Sequence, residues 1–196
     1  MPQPMKRLAI STLTICGIDE LALHSKARVT NVLSLLDPGW PELEVLGSYG
    51  APHRLMLRFH DIIEPLPDRV APEAEHVNRI IAFADELDAS TPPNAERHLL
   101  VHCHMGLSRS TAAMLLLLAR LDPAASEPEL FARLRQIRPQ AWPNSRMISL
   151  GDNLLGRRGR LVEALRDHYG HQVRAEPNYI RWMMQLKRGA ELEMAR

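Results

Sequence analysis

The sequence has few cysteines, almost no net charge and no long apolar run, and each shortage argues against a class of protein. Only Cys16 and Cys103 are present among 196 residues, too few for a disulfide framework or a zinc-ligand set. The formal net charge of +1 gives no support for a nucleic-acid-binding protein. No apolar run approaches the roughly 18 residues that span a bilayer. We therefore predict a soluble protein with no metal or other cofactor and no nucleic-acid or membrane partner.

The two cysteines also suggest the compartment. Cys103 lies in a polar loop of a cysteine-poor chain, which favours a reactive thiol in a reducing environment. At the N-terminus, Lys6 and Arg7 precede a mildly apolar stretch, but polar residues interrupt it and no clear small-residue cleavage site follows. We interpret this stretch as a first strand and predict a cytoplasmic protein.

Apolar and β-branched segments predict strands that alternate with helices. The predicted strands are residues 7–16, 29–36, 53–60 and 98–103. The predicted helices are residues 19–26, 72–88, 109–119, 127–137, 144–155, 161–169 and one last amphipathic helix from 178 onward. This order indicates an α/β, three-layer fold, with a central and mainly parallel sheet of four to five strands flanked by helices.

Helices alone follow the last strand, and they suggest how the chain is divided. We expect residues 1–170 to form one catalytic domain and residues 171–196 to form a C-terminal helix packed on the same domain. Pro72 suits the first position of its helix, and Ser126 and Asn144 suit N-caps. Asn144 could equally belong to a loop beside a substrate.

One stretch, HLLVHCHMGLSRSTA at residues 98–112, carries the chemistry. An apolar strand leads into Cys103, a tight loop follows, and Arg109 opens a helix that is apolar on every side. Backbone N–H groups of such a loop and the helix N-terminus form a site for a doubly charged oxyanion. Arg109 adds a planar fork of donors that matches phosphate oxygens, and positive potential there favours a thiolate at Cys103. A thiolate nucleophile beneath a phosphate cradle predicts a phosphatase site.

The segment from His102 to Ser110 resembles the active-site loop of cysteine-dependent protein tyrosine phosphatases, H-C-x-x-G-x-x-R-[ST], at every fixed position. The order of elements over residues 7–150 is most similar to dual-specificity phosphatases and their bacterial relatives. The resemblance implies a phosphatase-like fold and hydrolysis of phosphotyrosine, with phosphoserine and phosphothreonine as further candidates. The implied partner is a phosphorylated protein or a small phosphomonoester. The sequence does not indicate an oligomeric state.

The resemblance also implies roles for individual residues. Cys103 would attack phosphorus and form a cysteinyl-phosphate, while Arg109 would hold the equatorial oxygens. Ser110 would hydrogen-bond the thiolate and help it to leave in the second step, and His102 would orient the loop below the cysteine without touching substrate. The loop N–H groups would bind the phosphate at His104, Met105, Gly106, Leu107 and Ser108. Gly106 would let the backbone turn and approach the phosphate closely.

A phosphatase of this type also needs an acid that protonates the leaving oxygen. Asp61 and Asp68 are the two candidates, and Glu64 is a distant third. Asp61 stands at the end of the predicted strand 53–60, and such a position fixes a side chain better than a proline-rich loop does. Asp68 is closer along the chain to Cys103, as the resemblance would imply. We favour Asp61 and keep Asp68 as the alternative general acid.

Other interpretations of the same residues remain as alternatives. The loop could belong to a catalytically weak pseudophosphatase that binds phosphoproteins, to a phosphatase of a small-molecule phosphate, or to a sulfurtransferase or Cdc25-like domain. A metal site at His98, His102 and His104 is disfavoured, because neighbours on an extended strand do not converge on one ion. We expect Cys16 to be structural.

Two further groups of residues receive structural interpretations. The basic cluster of residues 157–160 is predicted to be a solvated helix start rather than an anionic docking patch. Trp40, Trp142 and Trp182 are too scattered for a stacking platform, so core or interface packing is expected.

Overall fold

The computed structural model describes residues 10–89 and 96–196, and the predicted strand positions 7–9 lie outside these ranges. A strand forms only where a neighbour pairs with it, and each of the four strands is shorter than predicted. They are β1 (Thr12–Cys16), β2 (Asn31–Leu36), β3 (His53–Arg58) and β4 (His98–His102).

All strand pairs in the sheet are parallel, and the spatial order is β1-β4-β2-β3. The predicted α/β class with a parallel sheet is therefore confirmed. β4 and β2 are the inner strands, and every residue in them is buried. Because the strands run in the same direction, their carboxyl ends share one edge, where the loop after β4 begins.

Seven α-helices lie in the described part of the chain: α1 (Ala74–Ala89), α2 (Arg109–Leu121), α3 (Glu127–Ile137), α4 (Ser145–Leu154), α5 (Arg160–Ala175), α6 (Asn178–Gln185) and α7 (Gly189–Met194). Ser126 and Asn144 are N-caps as predicted: Ser126 forms a capping box with Glu129, and the Asn144 side chain accepts from the Met147 N–H at 3.1 Å.

Four predictions about helices are wrong in detail. Pro72 is not the first helical residue, since α1 begins at Ala74. The short helix predicted at residues 19–26 is present as a 3-10 helix, Ile18–His24, whereas a second 3-10 helix at Glu44–Tyr49 was not predicted. α5 extends to Ala175, beyond the predicted end. The last predicted helix is interrupted after Gln185, and Lys187 there has a positive φ of 57°.

The sheet is covered on both faces, which gives the expected three layers. On one face α2 lies at the centre of the main core, in contact with α1, α3 and α4. Twelve of its residues are buried, which confirms the prediction of a buried helix. The opposite face carries a smaller core, where Leu21 and Leu46 of the 3-10 helices pack on Val32 and Leu100 of the sheet.

The basic cluster at 157–160 differs from its prediction. Arg157 is buried; its guanidinium pairs with Glu127 at 3.2 Å and donates to the Ala119 carbonyl at 2.9 Å. Arg160 pairs with the same Glu127 at 2.9 Å. Glu127 of α3 therefore forms ion pairs with two arginines of this cluster. Together with the bond to Ala119, these contacts join α2, α3 and α5.

Cys16 and Trp142 follow expectation, whereas Trp40 and Trp182 are not part of the core. Trp142 is fully buried, with its ring stacked 4.3 Å from that of Tyr169, whereas Trp40 and Trp182 are partly exposed. Burial raises the pKa of Cys16 to about 12, so this thiol stays protonated and structural. None of the helices described here is long and apolar enough to cross a membrane.

Candidate active site

The loop from Cys103 to Arg109 connects β4 to α2 at the carboxyl edge of the sheet. Gly106 has a positive φ of 65°, and a Cβ atom there would lie 2.4 Å from the Cys16 carbonyl carbon. Glycine is therefore required both for the turn and for the close approach to β1. The Ile18 N–H donates to the His104 carbonyl at 3.0 Å, which fixes the other side of the loop.

Cys103 lies at the base of this loop, next to the first turn of α2. Its side chain is buried, and Sγ is 3.2 Å from Oγ of Ser110. The positive end of α2 favours negative charge on the sulfur, and the Ser110 hydroxyl can donate to it. The structure thus brings the predicted nucleophile and its predicted hydroxyl partner together.

Arg109 is buried, with an exposed fraction of 3%. One terminal nitrogen, Nη1, donates to Asp37 Oδ1 at 2.7 Å and to the Phe59 carbonyl at 2.6 Å. The buried Nε atom has no hydrogen-bond partner among the described residues. A buried donor without an acceptor costs about 1–3 kcal/mol, and a bound oxyanion would remove that cost.

Asp61 faces the same cavity, and one of its oxygens accepts three hydrogen bonds. Oδ1 lies 2.7 Å from Ser108 Oγ, 2.9 Å from Asn144 Nδ2 and 3.0 Å from Arg188 Nη1. Burial opposes ionisation of Asp61, yet the positive charges of Arg188 and Arg109 outweigh it and lower the pKa of the carboxyl. In the absence of substrate, Asp61 is therefore a carboxylate.

The other two candidate acids lie elsewhere. Asp68 is exposed, adopts a positive φ of 58° and does not line the cavity that contains Cys103. Glu64 is also exposed and absent from that lining. The geometry therefore brings Asp61, and neither of these two, to the cysteine loop.

The two histidines that flank the cysteine occupy different surroundings. His102 is fully buried; its Nε2 lies 2.7 Å from Ser34 Oγ on β2, and burial lowers the pKa of its ring to about 4. It is therefore neutral and joins the base of the loop to β2. His104 accepts from the Asp37 N–H at 3.3 Å, and its ring centroid lies 4.2 Å from that of Trp40.

The remaining loop residues form the mouth and the wall of the site. Met105 is exposed at the mouth, with 63% of its surface accessible. The Leu107 carbonyl accepts from the Trp142 N–H at 2.9 Å, and the Ser108 carbonyl accepts from the Asn144 N–H at 3.4 Å. These bonds tie the loop to the segment that precedes α4.

A salt bridge that the sequence analysis missed supports the loop from behind. Arg138, at the end of α3, pairs through two nitrogens with both carboxylate oxygens of Glu20, at 2.9 and 2.8 Å. Its Nε also donates to the Gly106 carbonyl at 3.0 Å, and Glu20 accepts from the Gly17 N–H at 2.6 Å. No local sequence signal pairs residues that lie 118 positions apart.

The C-terminal segment contributes a second group that the sequence analysis missed. Arg188 is buried and donates from Nη1 to both Asp61 at 3.0 Å and Ser108 Oγ at 3.1 Å. Glu191 is completely buried, accepts two hydrogen bonds from Arg188 at 2.9 and 2.7 Å, and accepts from Trp142 Nε1 at 2.7 Å. In the sequence, Arg188 and Glu191 are a polar i, i+3 pair in a segment that looks exposed. Nothing in that pattern indicates that they reach the candidate active site.

The cavity has a volume of about 180 Å³. Its polar lining comes from the loop, Asp61 and Arg188, and its apolar lining includes Trp142, Met183 and Leu186. Within the described ranges, no three His, Cys, Asp or Glu side chains are grouped as metal ligands would be. The site therefore presents a buried thiol, two arginines and a carboxylate around one small cavity.

The sequence matches no protein-family model and no curated protein, whereas known structures match its fold. Human DUSP28 is 18% identical with a TM-score of 0.54, and the match covers 77% of this chain and 96% of that chain. The PTP-2 phosphatase of Cydia pomonella is 18% identical with a TM-score of 0.55, covering 73% and 85%. A human tyrosine phosphatase-like serine/threonine/tyrosine-interacting protein is 15% identical with a TM-score of 0.52, covering 76% and 95%.

These similarities define the class of fold. The chain has the α/β fold of cysteine-dependent protein tyrosine and dual-specificity phosphatases. The fold that the loop motif predicts is thereby confirmed. Similarity of fold does not by itself define the activity, which depends on the chemistry of the site.

Proposed function

We propose that this protein is a cysteine-dependent phosphomonoester hydrolase that acts on phosphotyrosine, and also on phosphoserine or phosphothreonine where these reach the sulfur. The observation that carries the proposal is the buried pair of Cys103 Sγ and Ser110 Oγ, 3.2 Å apart, beneath a loop that ends in Arg109 with an unpartnered Nε. A buried nucleophile, an anion cradle and a nearby carboxyl are the groups that such hydrolysis needs.

In the first step, the Cys103 thiolate attacks phosphorus and the bond from phosphorus to the ester oxygen breaks. The leaving oxygen takes a proton from Asp61, so the alcohol or phenol departs neutral and Asp61 becomes a carboxylate. Arg109 and the loop N–H groups hold the three equatorial oxygens, on which charge is spread in the transition state. The product of this step is a cysteinyl-phosphate.

In the second step, water attacks the phosphorus of the cysteinyl-phosphate. Asp61 accepts a proton from that water, the phosphorus–sulfur bond breaks, and inorganic phosphate leaves. The Ser110 hydroxyl donates to the departing Cys103 thiolate and lowers the cost of its negative charge. Cys103 is then again a thiolate, and Asp61 has regained the proton that it gave to the leaving oxygen. Asp61 takes up this proton from solvent when the phosphate dianion binds, and it returns to the resting carboxylate when phosphate leaves.

The apolar wall supports an aryl group on the substrate. Leu186 lines the cavity beside the loop and is 49% exposed, whereas Trp142 and Met183 of the same lining are buried. A phenyl ring placed there would bury its surface against Leu186. The loop itself supplies no lysine or arginine between Cys103 and Arg109 that could meet additional phosphate groups. A phosphotyrosine side chain carries an aryl ring and a single phosphate group, so it fits both the apolar lining and a loop without further cations.

The test is a Cys103→Ser variant assayed with an aryl phosphate. We expect hydrolysis to be abolished, because the serine hydroxyl is not ionised at neutral pH, while vanadate or phosphate still binds to the intact loop. Cys16→Ala is the matched control, since it removes the other buried thiol and should leave turnover unchanged. Equal turnover by Cys103→Ser and the unaltered protein would disprove the proposal.

The main alternative is a phosphoprotein-binding protein with a preserved pocket. Its supporting observation is that Oδ1 of Asp61 is engaged by three donors and that the carboxyl pKa is lowered, which disfavours an acid in the resting state. The alternative predicts phosphopeptide binding without phosphate release at any pH. Release of a coloured phenol from its phosphate ester would decide against it.

A further inference from the structure

Arg188 reaches the candidate active site from the C-terminal segment, 127 positions after Asp61. It is 5% exposed and lines the cavity that contains Cys103. Its Nη1 atom bridges Asp61 Oδ1 at 3.0 Å and Ser108 Oγ at 3.1 Å. One guanidinium thus connects the candidate acid to the phosphate loop.

Arg188 is itself held rigidly. Glu191 is 0% exposed and accepts from Arg188 Nε at 2.9 Å and from Nη2 at 2.7 Å. The same carboxylate accepts from Trp142 Nε1 at 2.7 Å and from the Ser145 N–H at 2.8 Å. With four donors around Glu191, the guanidinium cannot rotate without leaving a buried charge unpaired, which is costly.

These contacts make the two oxygens of Asp61 different. Oδ1 accepts from Arg188, Ser108 and Asn144, whereas no hydrogen bond to Oδ2 from the described residues is found. A proton on Asp61 therefore belongs on Oδ2, because Oδ1 already faces three donors. The oxygen that would carry the transferable proton is fixed by its neighbours.

We propose that Arg188 is a positioning residue for the acid of the hydrolysis: it holds Asp61 over the loop by Oδ1 and leaves Oδ2 to carry the proton. The inference rests on the proposed function. It also explains how a carboxylate can serve as the acid, because a phosphate dianion in the loop brings two negative charges beside Asp61. Those charges oppose the effect of Arg188 and Arg109, so substrate binding raises the pKa of Asp61 and favours its protonation.

Other groups near Asp61 also interact with its charge. Arg109 acts on it from α2, His104 interacts with it from the loop, and Tyr169 of α5 lies close enough to be affected by its charge. Burial, mainly, raises the pKa of Tyr169 well above its ordinary value, so this phenol stays neutral. Arg188 contributes the largest positive influence on Asp61 and is therefore the residue to change.

The first experiment is the pH profile of Arg188→Met with two aryl phosphates, one with a good and one with a poor leaving group. Loss of the cation should move the alkaline limb of kcat/KM to higher pH, because the acid then keeps its proton longer. At acidic pH, loss of positioning should lower kcat roughly tenfold for the poor leaving group and leave the good one nearly unchanged. Arg188→Lys should restore the alkaline limb.

Two companion variants separate positioning from general damage. Arg181→Met removes an exposed arginine of α6 and should leave both profiles unchanged. Arg188→Met combined with Glu191→Gln avoids an unpaired buried carboxylate and should show the same altered profile as the single variant. Equal losses for both leaving groups with an unmoved alkaline limb would overturn the inference.

A second measurement does not depend on turnover. In protein labelled with ¹³C at aspartate carboxyls, the Asp61 resonance should titrate at higher pH in Arg188→Met than in the unaltered protein. If the unaltered protein shows no turnover, the proposed function is rejected. The titration still tests whether Arg188 lowers the pKa of Asp61. Identical titration in both proteins would overturn the link between Arg188 and Asp61.

Discussion

Single side chains in this molecule have separate tasks that their surroundings determine. The two cysteines illustrate this: Cys16 is buried among apolar groups at the end of β1, while Cys103 lies beside the first turn of α2 and the Ser110 hydroxyl. Burial raises the pKa of the Cys16 thiol, whereas Cys103 has a hydroxyl beside it that can donate to its sulfur. Position in the fold, rather than residue type, therefore decides which thiol is the candidate nucleophile.

The role of Asp61 is testable by comparison with Asp68. We predict that Asp61→Ala lowers kcat by about 10²–10⁴ for a poor leaving group and far less for a good one, because only the former needs a proton in the transition state. Asp68→Ala should have no such effect, since that residue is exposed outside the cavity. The measurement is kcat across a series of substituted phenyl phosphates, and the opposite ranking of the two variants would move the acid to Asp68.

At this scale the sequence predicted the loop well and its partners poorly. Cys103, Arg109 and Ser110 are close along the chain, so strand, turn and helix signals are enough to place them together. Asp37 and Arg188, which touch Arg109 and Asp61, come from distant segments. A single sequence carries no spacing rule for such pairs, because the packing of whole elements decides them.

Whole elements also support the loop from outside the cavity. The C-terminal end of α3 is joined to the first 3-10 helix by the Arg138–Glu20 pair, and Arg138 also donates to loop carbonyls at Gly106 and Met105. A phosphate loop needs several N–H groups aimed at one point, so its carbonyls must point outward and find donors. Arg138 supplies the donors for the Gly106 and Met105 carbonyls, and backbone N–H groups supply those for His104, Leu107 and Ser108.

We predict that Arg138→Met lowers kcat/KM roughly 10–100-fold and weakens vanadate binding, because the loop loses the donors that fix its outward carbonyls. Arg133→Met is the matched control: it lies on the same helix and pairs with Asp122 at 3.1 Å, away from the cavity. Steady-state kinetics and vanadate titration measure both effects. Equal behaviour of the two variants would show that the Arg138 contacts do not orient the loop.

The elements themselves were mostly predictable, and the exceptions have physical causes. Alternating β-branched and apolar residues indicated the strands, and the Ser126 capping box indicated α3. The break between α6 and α7 was not foreseen, since the segment has helical spacing throughout. Buried contacts of Arg188 with Asp61 and Ser108 accompany that break, so tertiary interactions override local helix propensity there.

For the whole molecule, two buried histidines make stability depend on pH. His102 lies under the loop, and His168 of α5 lies between the Ala141 carbonyl and Arg135. Burial lowers the pKa of each to about 4, while an unfolded histidine titrates near ~6.5. Between these values the unfolded chain binds more protons, so the free energy of unfolding decreases as the pH falls through this window.

We predict that the unfolding temperature drops by several degrees between pH 7 and pH 4.5. Complete loss of the contribution of each histidine, below pH 4, is on the order of 3 kcal/mol. Thermal unfolding followed by circular dichroism across that range is the measurement. His168→Gln, which keeps hydrogen-bonding capacity without the titration, should flatten the slope; a pH-independent unfolding temperature in the unaltered protein would refute the assignment.

The ion pair between Arg188 and Asp61 has a consequence for the newly made chain. A ribosome that has synthesised the protein as far as α5 has already produced the sheet, the cysteine loop and Asp61. The guanidinium that meets Asp61 is translated only later, followed by the Glu191 that holds it. Assembly of the candidate site is thus a late event in synthesis, and a chain stalled at α5 would carry Cys103 and Asp61 without the arginine that pairs with Asp61.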